Sequence, residues 1–437
     1  MSNGVPENRF GHTVIWTGTE MIVWGGVSQD RYLNTGGRYN PRTNRWTSIS
    51  QQNAPSARGG HTAVWTGTEM IVWAGFDQDG VALIDGSRYN PQMNRWTSIS
   101  QQNAPSARGG HTAVWAGTEM IVWAGFDQDE VALIDGSRYN PRTDCWTSIS
   151  QQNAPSARGG HTAVWTGTEM IVWAGFDQNH YLNSGGRYNP RTDRWTSISQ
   201  QNTPSARGGH TAVWTGTEMI VWGGKNKDRQ QQGGGKYEPA VNRWLSLPAN
   251  PLEIGQFLHT AVWTGSEMIV WGGYIDNEMM TASGAGYVPA TDHWRPISSP
   301  IKPRSGHTAI WTGTEMIVWA GVDRDDYLNS GGRYTPAKDE WRSMTQQQAP
   351  TPRFGHTTVW TGTEMIVWGG YGSDGILADD GRVYNPGTDS WSGLSRDRKP
   401  EGKILNSLIW TGTEMIIWGG SNGQYLLNSG RQFRPEK

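Results

Sequence analysis

The fold is decided by the stretch HTAVWTGTEMIVWAGFDQDGVALIDGSRYNPQMNRWTSISQQNAPSARGG, residues 61–110. Its central pentapeptide, Thr-Gly-Thr-Glu-Met or a one-residue variant, occurs nine times in the 437 residues, at intervals of 48 to 50 residues. A fixed period of this size indicates one supersecondary unit repeated along the chain, because each unit must bury its apolar faces against its neighbours. Residues common to every copy are therefore most simply explained by packing.

Each repeat contains four short β-prone segments separated by turn residues. In the quoted unit they are HTAVW (strand a), EMIVWAG (strand b), GSRYN (strand c) and RWTSIS (strand d). Thr-Gly suits a hairpin between strands a and b, and Asn-Pro suits the turn between strands c and d. No segment has a sustained helical period, so we predict an all-β chain of four-stranded antiparallel meanders. Strands a and b are apolar on both faces and are expected innermost, with strand d outermost.

Four-stranded antiparallel sheets arranged around a central axis form a β-propeller. The 26 tryptophans follow the repeat, three in each of eight units and two in the last, and are expected to fill the space between blades. No linker divides the units, so we predict a single nine-bladed propeller over residues 1–437. The approximate repeats are 9–57, 58–107, 108–157, 158–206, 207–255, 256–303, 304–352, 353–402 and 403–437.

The ninth repeat stops after strand c in the sequence given. We therefore expect a last blade that lacks its outer strand. It should close against blade 1 by packing alone, without the strand-sharing clasp that many propellers use. An open ring, or one closed between molecules, is the alternative, because the free edge of strand c could pair with another strand.

The repeat resembles a known family. MIVWGG (residues 21–26) is followed by Tyr39, by Trp46 seven residues later, and by an Arg and a His that open the next unit, a pattern similar to the kelch repeat. The match extends over the whole chain, although Gly-Gly becomes Ala-Gly in four copies and Tyr becomes Phe433 in the last. The resemblance implies a kelch-type β-propeller, from a family of mostly protein-interaction scaffolds with some sugar-active enzymes.

Composition excludes several classes of function. The net charge is -2 and the pI about 6.6, with no block of like charges, so a nucleic-acid partner is not expected. No apolar run approaches the roughly 18 residues of a membrane helix, and MSNGVPENRFGHT lacks the features of a signal peptide, so we expect a soluble chain of unknown compartment. Cys145, the only cysteine, is placed in a c–d turn and has no disulfide partner within the chain. No cofactor or metal is predicted.

The two faces of the predicted disc differ in variability. The a–b and c–d turns belong to one face, which we call the turn face, and the b–c loops and d–a connections belong to the other, the loop face. The a–b turn is nearly constant, whereas the b–c loops differ widely between repeats. Variable loops on a constant scaffold favour ligand binding at the loop face, although relaxed constraint would give the same pattern.

Two residue types recur where strand a begins. Arginines stand three positions before the strand a histidine in seven repeats, where they could ring the channel mouth and attract an anionic ligand. The alternative, which we favour, is that each arginine hydrogen-bonds to carbonyls or acidic loops of the neighbouring blade. These arginines are Arg9, Arg58, Arg108, Arg158, Arg207, Arg304 and Arg353. The histidine itself is present in eight repeats, which indicates a structural hydrogen bond rather than a catalytic or metal-binding group.

Blades 5 and 6 depart most from the repeat, and their loops supply the remaining predicted binding residues. These are Lys225, Lys227, Arg229, Tyr274, Asp276 and Glu278. A basic loop beside an apolar and acidic loop suits a protein or peptide epitope.

No nucleophile elbow, phosphate loop or zinc motif occurs in the sequence, and no catalytic residue is predicted. We therefore predict a non-enzymatic interaction scaffold that binds a protein or peptide. A carbohydrate-binding or carbohydrate-active protein, similar to a mutarotase or epimerase, is the alternative, and a structural array without a specific ligand is a second one. A monomer is expected unless the ninth blade pairs with another chain.

Overall fold

The structure is a computed structural model of the chain, and it describes most of the sequence. The described residues are 4–29, 31–227, 230–252, 255–275, 279–373, 377–378, 380–394 and 407–434.

Nine antiparallel sheets follow one another along the chain, one for each repeat. Eight contain four strands in the order a, b, c, d, and the ninth contains strands a, b and c. The chain is therefore a nine-bladed β-propeller with a three-stranded last blade, as the sequence predicted. Strand a lies innermost in each blade, since strands a of successive blades contact one another, and strand d lies at the rim.

The strands have nearly constant lengths. Strands a are Thr13–Trp16, Thr62–Trp65, Thr112–Trp115, Thr162–Trp165, Thr211–Trp214, Thr260–Trp263, Thr308–Trp311, Thr357–Trp360 and Ser407–Trp410. Strands b are Met21–Trp24, Met70–Trp73, Met120–Trp123, Met170–Trp173, Met219–Trp222, Met268–Trp271, Met316–Trp319, Met365–Trp368 and Met415–Trp418. Strands c are Gly36–Asn40, Gly86–Asn90, Gly136–Asn140, Gly185–Asn189, Gly234–Glu238, Gly284–Val288, Gly331–Thr335, Gly381–Asn385 and Gly430–Phe433. Strands d are Arg45–Ser48, Arg95–Ser98, Cys145–Ser148, Arg194–Ser197, Arg243–Ser246, His293–Ile297, Glu340–Ser343 and Ser390–Gly393.

Short elements complete the described structure. Two-residue strands pair Val27–Ser28 with Arg31–Tyr32, and Arg353–Phe354 with Tyr371–Gly372. The helices within the described ranges are two single 3-10 turns, Pro239–Val241 and Pro336–Lys338. Neither is long enough to cross a membrane.

The hydrophobic core lies between blades, and strand b is at its centre. Every strand b residue is buried because strand b has a neighbouring blade on each face. Between blades 2 and 3, Ile71 and Trp73 pack against Met120, Val122 and Trp146 of the next blade. Alternate residues of the Met-Ile-Val-Trp run thus face opposite neighbours, as the two-residue period of a strand requires. A strand that is apolar at every position is explained by these two dry interfaces.

The ring closes between blade 9 and blade 1 through contacts of the same kind. Trp418 packs on Trp46 with ring centroids 5.3 Å apart. The backbone N–H of Gly420 donates to the carbonyl of Arg9 at 3.0 Å, and the Tyr39 hydroxyl donates to Gln432 at 2.8 Å. The prediction that blade 9 closes against blade 1 by packing alone was therefore wrong, because hydrogen bonds also cross this junction.

Two further positions bear on the sequence predictions. Phe433, at the end of strand c in blade 9, stacks on Trp368 of blade 8 at 5.2 Å. At other boundaries the strand d tryptophan of one blade contacts the strand b tryptophan of the blade before it. Blade 9 has no described strand d, and Phe433 covers part of the Trp368 ring in its place. Cys145 was predicted in a c–d turn but is the exposed first residue of strand d, paired with Asn140.

Candidate functional site: the loop face

The turn face is occupied by contacts that hold the blades together. In blade 2 the hydroxyl oxygen of Thr66 accepts a hydrogen bond from the backbone N–H of Glu69 at 2.9 Å, and Gly67 supplies the positive φ of +99°. The carboxylate of Glu69 pairs with Arg88 of strand c at 3.3 Å, and Arg88 also donates to the carbonyl of Pro141 in the next blade. The repeated pentapeptide is thus a structural turn whose acid is engaged within the fold.

The same ion pair recurs around the ring. Its other members are Arg38 with Glu20, Arg138 with Glu119, Arg187 with Glu169, Lys236 with Glu218 and Arg333 with Glu315. In blade 9 Gln432 takes the strand c position and donates to Glu414, which also pairs with Arg434 beyond the strand.

The repeated histidines form a ring of hydrogen bonds between blades. Nε2 of His111 lies 2.8 Å from the hydroxyl of Thr62 in the preceding blade, and Nε2 of His12 lies 2.7 Å from Ser407 in blade 9. The remaining pairs are His61 with Thr13, His161 with Thr112, His210 with Thr162, His259 with Thr211, His307 with Thr260 and His356 with Thr308.

Burial keeps these histidines neutral. Burial, together with the charge of the nearby Arg108, lowers the pKa of His111 to about 3. Within the described ranges no group of three or more His, Cys, Asp or Glu is arranged to hold a metal ion. The structural hydrogen bond at the start of strand a is the role that this geometry supports.

The seven repeated arginines lie inside the protein. Each is between 0 and 1% exposed. In blade 2 the Arg58 guanidinium donates to the carbonyls of Ala74 and Asp85 at 3.1 and 2.9 Å, and to the Asp85 carboxylate at 2.8 Å. A ring of guanidinium groups that attracts an anionic ligand is therefore contradicted, because each of the seven is buried and holds the b–c loop of its own blade.

The backbone of the same arginine bonds the preceding blade. The N–H of Arg58 donates to the carbonyl of Leu33, and its carbonyl accepts from the N–H of Gly26, both at 3.2 Å. Each arginine thus joins the loop of one blade to the next, which refines the predicted alternative: the side chain bonds its own blade and the backbone bonds the neighbour. In blade 6, Gln256 takes this position and donates to the carbonyl of Ser283 at 3.1 Å.

The candidates in blades 5 and 6 are only partly described. Lys225 and Lys227 are exposed, and the Lys225 ammonium lies 4.5 Å from the ring centroid of Phe257. Tyr274 is half-buried, and its backbone N–H donates to the carbonyl of Phe257 at 2.8 Å. Lys225 and Tyr274 are thus brought to one segment of the loop face. Arg229, Asp276 and Glu278 lie outside the described residues.

A row of aromatic side chains lines the loop face close to the channel, and it was not predicted from the sequence. Phe76, Phe126 and Phe176 each stand three residues after the end of strand b. Each forms a β-bridge with a glycine that precedes strand a of the same blade. The Phe76 ring lies over Gly109 of the next blade, where a Cβ would fall 2.0 Å from Cε2. The sequence signal was Phe-Asp-Gln, repeated at the start of the b–c loops of blades 2, 3 and 4.

These three phenylalanines border a groove of about 810 Å³ across blades 2 to 4. Phe126 and Phe176 have ring centroids 5.8 Å apart, and Phe176 is 40% exposed. Polar loop residues form the remaining wall, among them Asp127, Asp129 and Glu130. The groove thus combines an aromatic floor with carboxylates, within the volume range of ligand sites.

Exposed apolar side chains are concentrated on the same face. Among the described residues, ten large hydrophobic side chains are markedly exposed, and eight of them belong to b–c loops or d–a connections. The eight are Val81, Ile84, Val131, Ile134, Phe176, Leu258, Met279 and Tyr425. The other two, Met93 and Val241, lie in c–d turns.

Comparison with protein families agrees with this architecture. A family model described as the Attractin/LZTR1 beta-propeller matches residues 1–231 and again residues 70–325. A model of the KLHDC2/KLHL20/DRC7 Kelch-repeats domain matches residues 258–437. The chain belongs to the kelch-repeat β-propeller family. Kelch propellers are typically non-enzymatic protein-interaction scaffolds. No individual curated protein matches this kelch propeller.

Proposed function

We propose that this kelch propeller is a non-enzymatic scaffold that binds a protein or peptide through its loop face. The observation that carries the proposal is the uneven distribution of exposed apolar side chains. Eight of ten lie on the loop face, whereas the repeated charges of the turn face are paired with one another. Apolar side chains that stay exposed on one face of a protein are a feature of interaction sites.

The exposed side chains of blades 2 and 3 give the sharpest test. Val81, Ile84, Val131 and Ile134 are between 38 and 45% exposed, and a variant with serine at all four keeps the buried core unchanged. A control variant has serine in place of Met93 and Val241, two turn-face residues that are 68 and 62% exposed. Both variants remove exposed apolar surface, but only the first alters the proposed binding face.

A phage-displayed random peptide library is the probe. Peptides selected on the unmodified protein should bind the loop-face variant at least about tenfold more weakly and the Met93 and Val241 control unchanged. Equal binding to the loop-face variant, or loss of binding only in the control, would place the ligand elsewhere and overturn the proposal. Lys225→Ala with Lys227→Ala, measured with the same peptides, tests the contribution of blade 5.

The carbohydrate alternative depends on the exposed aromatic rings, because sugars stack on such rings. A glycan array probed with the protein and with Phe176→Ala distinguishes it. Glycan binding that requires Phe176, without peptide binding, would replace the scaffold proposal.

A further inference from the structure

We propose that the groove across blades 2 to 4 binds an extended, lysine- or arginine-rich peptide segment. The inference rests on the proposed binding function and names the chemistry of its ligand. The aromatic row described above would receive the cationic side chains on its ring faces, and the carboxylates of the adjoining loop would neutralise their charge.

The carboxylates available for this role belong to the blade 3 loop. Asp127 Oδ1 accepts from the backbone N–H groups of Asp129 and Val131, at 2.9 and 2.8 Å, and so shapes the loop. Asp129 and Glu130 are exposed at its tip. Within the described ranges, no ion pair engages the carboxylate of either residue. These two charges therefore face solvent at the edge of the groove.

The repeated arginines do not line the groove. Arg108, which precedes the same blade, is buried and donates to the Asp135 carboxylate at 2.6 Å and to the carbonyl of Ala124 at 2.9 Å. Arg158 is likewise buried against the carbonyls of Ala174 and Ser184. The ionisable side chains that line the groove are all carboxylates, those of Asp127, Asp129, Glu130 and Asp177, which favours a cationic occupant.

Blade 5 contains an internal example of the proposed contact. Lys225 stands three residues after strand b and forms a β-bridge with Gly208, just as Phe176 does with Gly159 one blade earlier. Its ammonium lies 4.5 Å from the centroid of Phe257. A lysine on this part of the loop face therefore rests on an aromatic ring, a favourable arrangement because the ring face is electron-rich.

The backbone of the aromatic row is not free to add a strand. The backbone of Phe76 already forms β-bridges with Gly59 on one side and Ala82 on the other. The backbone of Phe126 does the same with Gly109 and Ala132. The ligand must then be recognised by side chains in the groove rather than by β-augmentation. The floor spans three blades, so an extended segment can present several cationic residues in succession.

The test uses fluorescence anisotropy with three labelled peptides of equal length, in which glycine alternates with lysine, glutamate or serine. The full chain should bind the lysine peptide, and the affinity should fall as salt is raised, because exposed charges are screened. Asp129→Asn with Glu130→Gln should weaken binding by about tenfold, and Phe176→Ala should weaken it several-fold.

A matched control carries Asp325→Asn with Asp326→Asn in the blade 7 loop. These two carboxylates are also exposed on the loop face, and the change in net charge is identical, but they do not line the groove. This control should change binding by less than about twofold. An equal loss in both acid variants, or no preference for lysine over serine, would overturn the inference.

The outcomes also separate this inference from the proposed function. Library peptides that need the loop face, together with a lysine peptide that does not bind, would refute the cationic ligand and leave the scaffold proposal standing. Failure of both probes would refute both.

Discussion

The imidazole Nε2 of His111 lies 2.8 Å from the hydroxyl oxygen of Thr62, across the boundary between blades 2 and 3. Seven further histidines make the same contact between other pairs of blades. Burial lowers their pKa values to about 3 or 4, so the folded ring holds its histidines neutral. The stability of the packed blades should therefore depend on pH.

The first prediction concerns stability in acid. Because the pKa is depressed in the folded state, the unfolded chain binds more protons between pH 6.5 and about 3 or 4. The stabilisation is complete above pH 6.5 and is lost as the pH falls through that window, by up to roughly 1.4 kcal/mol per histidine and pH unit. Thermal melts from pH 7.5 to 4.5 should show a steep fall in Tm.

The replacement His111→Asn isolates the histidine effect from that of acidic groups, since the ninth repeat carries asparagine at this position in the sequence. It should lower Tm at pH 7.5 and make the pH dependence shallower. A pH profile that is equally steep in the variant would show that other groups cause the acid loss.

The second prediction concerns the buried arginines. Arg108→Gln removes the guanidinium that holds the Asp135 carboxylate and two carbonyls of the blade 3 loop, so the free energy of unfolding should fall by about 3 kcal/mol. Hydrogen exchange in residues 124–135 should accelerate. Arg142→Gln, at an exposed arginine in a c–d turn, is the control and should change neither measurement. Unchanged exchange in Arg108→Gln would mean that the loop is held by other contacts.

The third prediction compares two glycines of blade 3 that share a positive φ. Gly117 has φ +91° and open space where an alanine methyl group would lie, so Gly117→Ala should cost about 1 kcal/mol through backbone strain alone. Gly125 has φ +98°, and its Cβ would lie 2.7 Å from the carbonyl oxygen of Gly109. Gly125→Ala should therefore cost at least about 3 kcal/mol, because a backbone clash adds to the strain. Denaturant unfolding should rank the two variants in this order, and equal costs would contradict the close approach.

The fourth prediction concerns the tryptophans at two junctions. Trp96 is fully buried and packs on Trp24 at 5.4 Å, so Trp96→Ala should destabilise the protein by about 3 to 5 kcal/mol. Trp46 makes the equivalent contact with Trp418 at the closing junction but is half-buried, so Trp46→Ala should cost less. Comparison of the two denaturation midpoints checks this, and a larger loss for Trp46 would identify closure as the most sensitive junction.

Most of the fold was predictable because its determinants are local and repeated. The continuous apolar runs of strands a and b and the Thr-Gly and Asn-Pro turns give the strand order, and the nine copies of the pentapeptide give the number of blades. The place of Arg58 was not predictable, because its burial depends on carbonyls of Ala74 and Asp85 that the fold brings together. The hydrogen bonds at closure likewise depend on residues almost a whole chain apart, such as Tyr39 and Gln432.

The candidate site was only partly predictable for a related reason. Loop variability pointed to the loop face, but it directed attention to blades 5 and 6, where the loops differ most. The aromatic row lies in blades 2 to 4, whose loops are the most alike. A search for residues that differ between repeats therefore does not find it. The repeated Phe-Asp-Gln shows that a shared element can occur on the variable face.

The near-uniform blade junctions have an evolutionary consequence. Since most boundaries use the same tryptophans, the same contact between a hydroxyl group and a histidine and the same buried arginine, most units present the same packing surface to their neighbours. Recombination can gain, lose or exchange a unit in the gene while the new neighbours still fit. The loops can then diversify one blade at a time, because the repeated contacts between blades do not depend on the loop sequence.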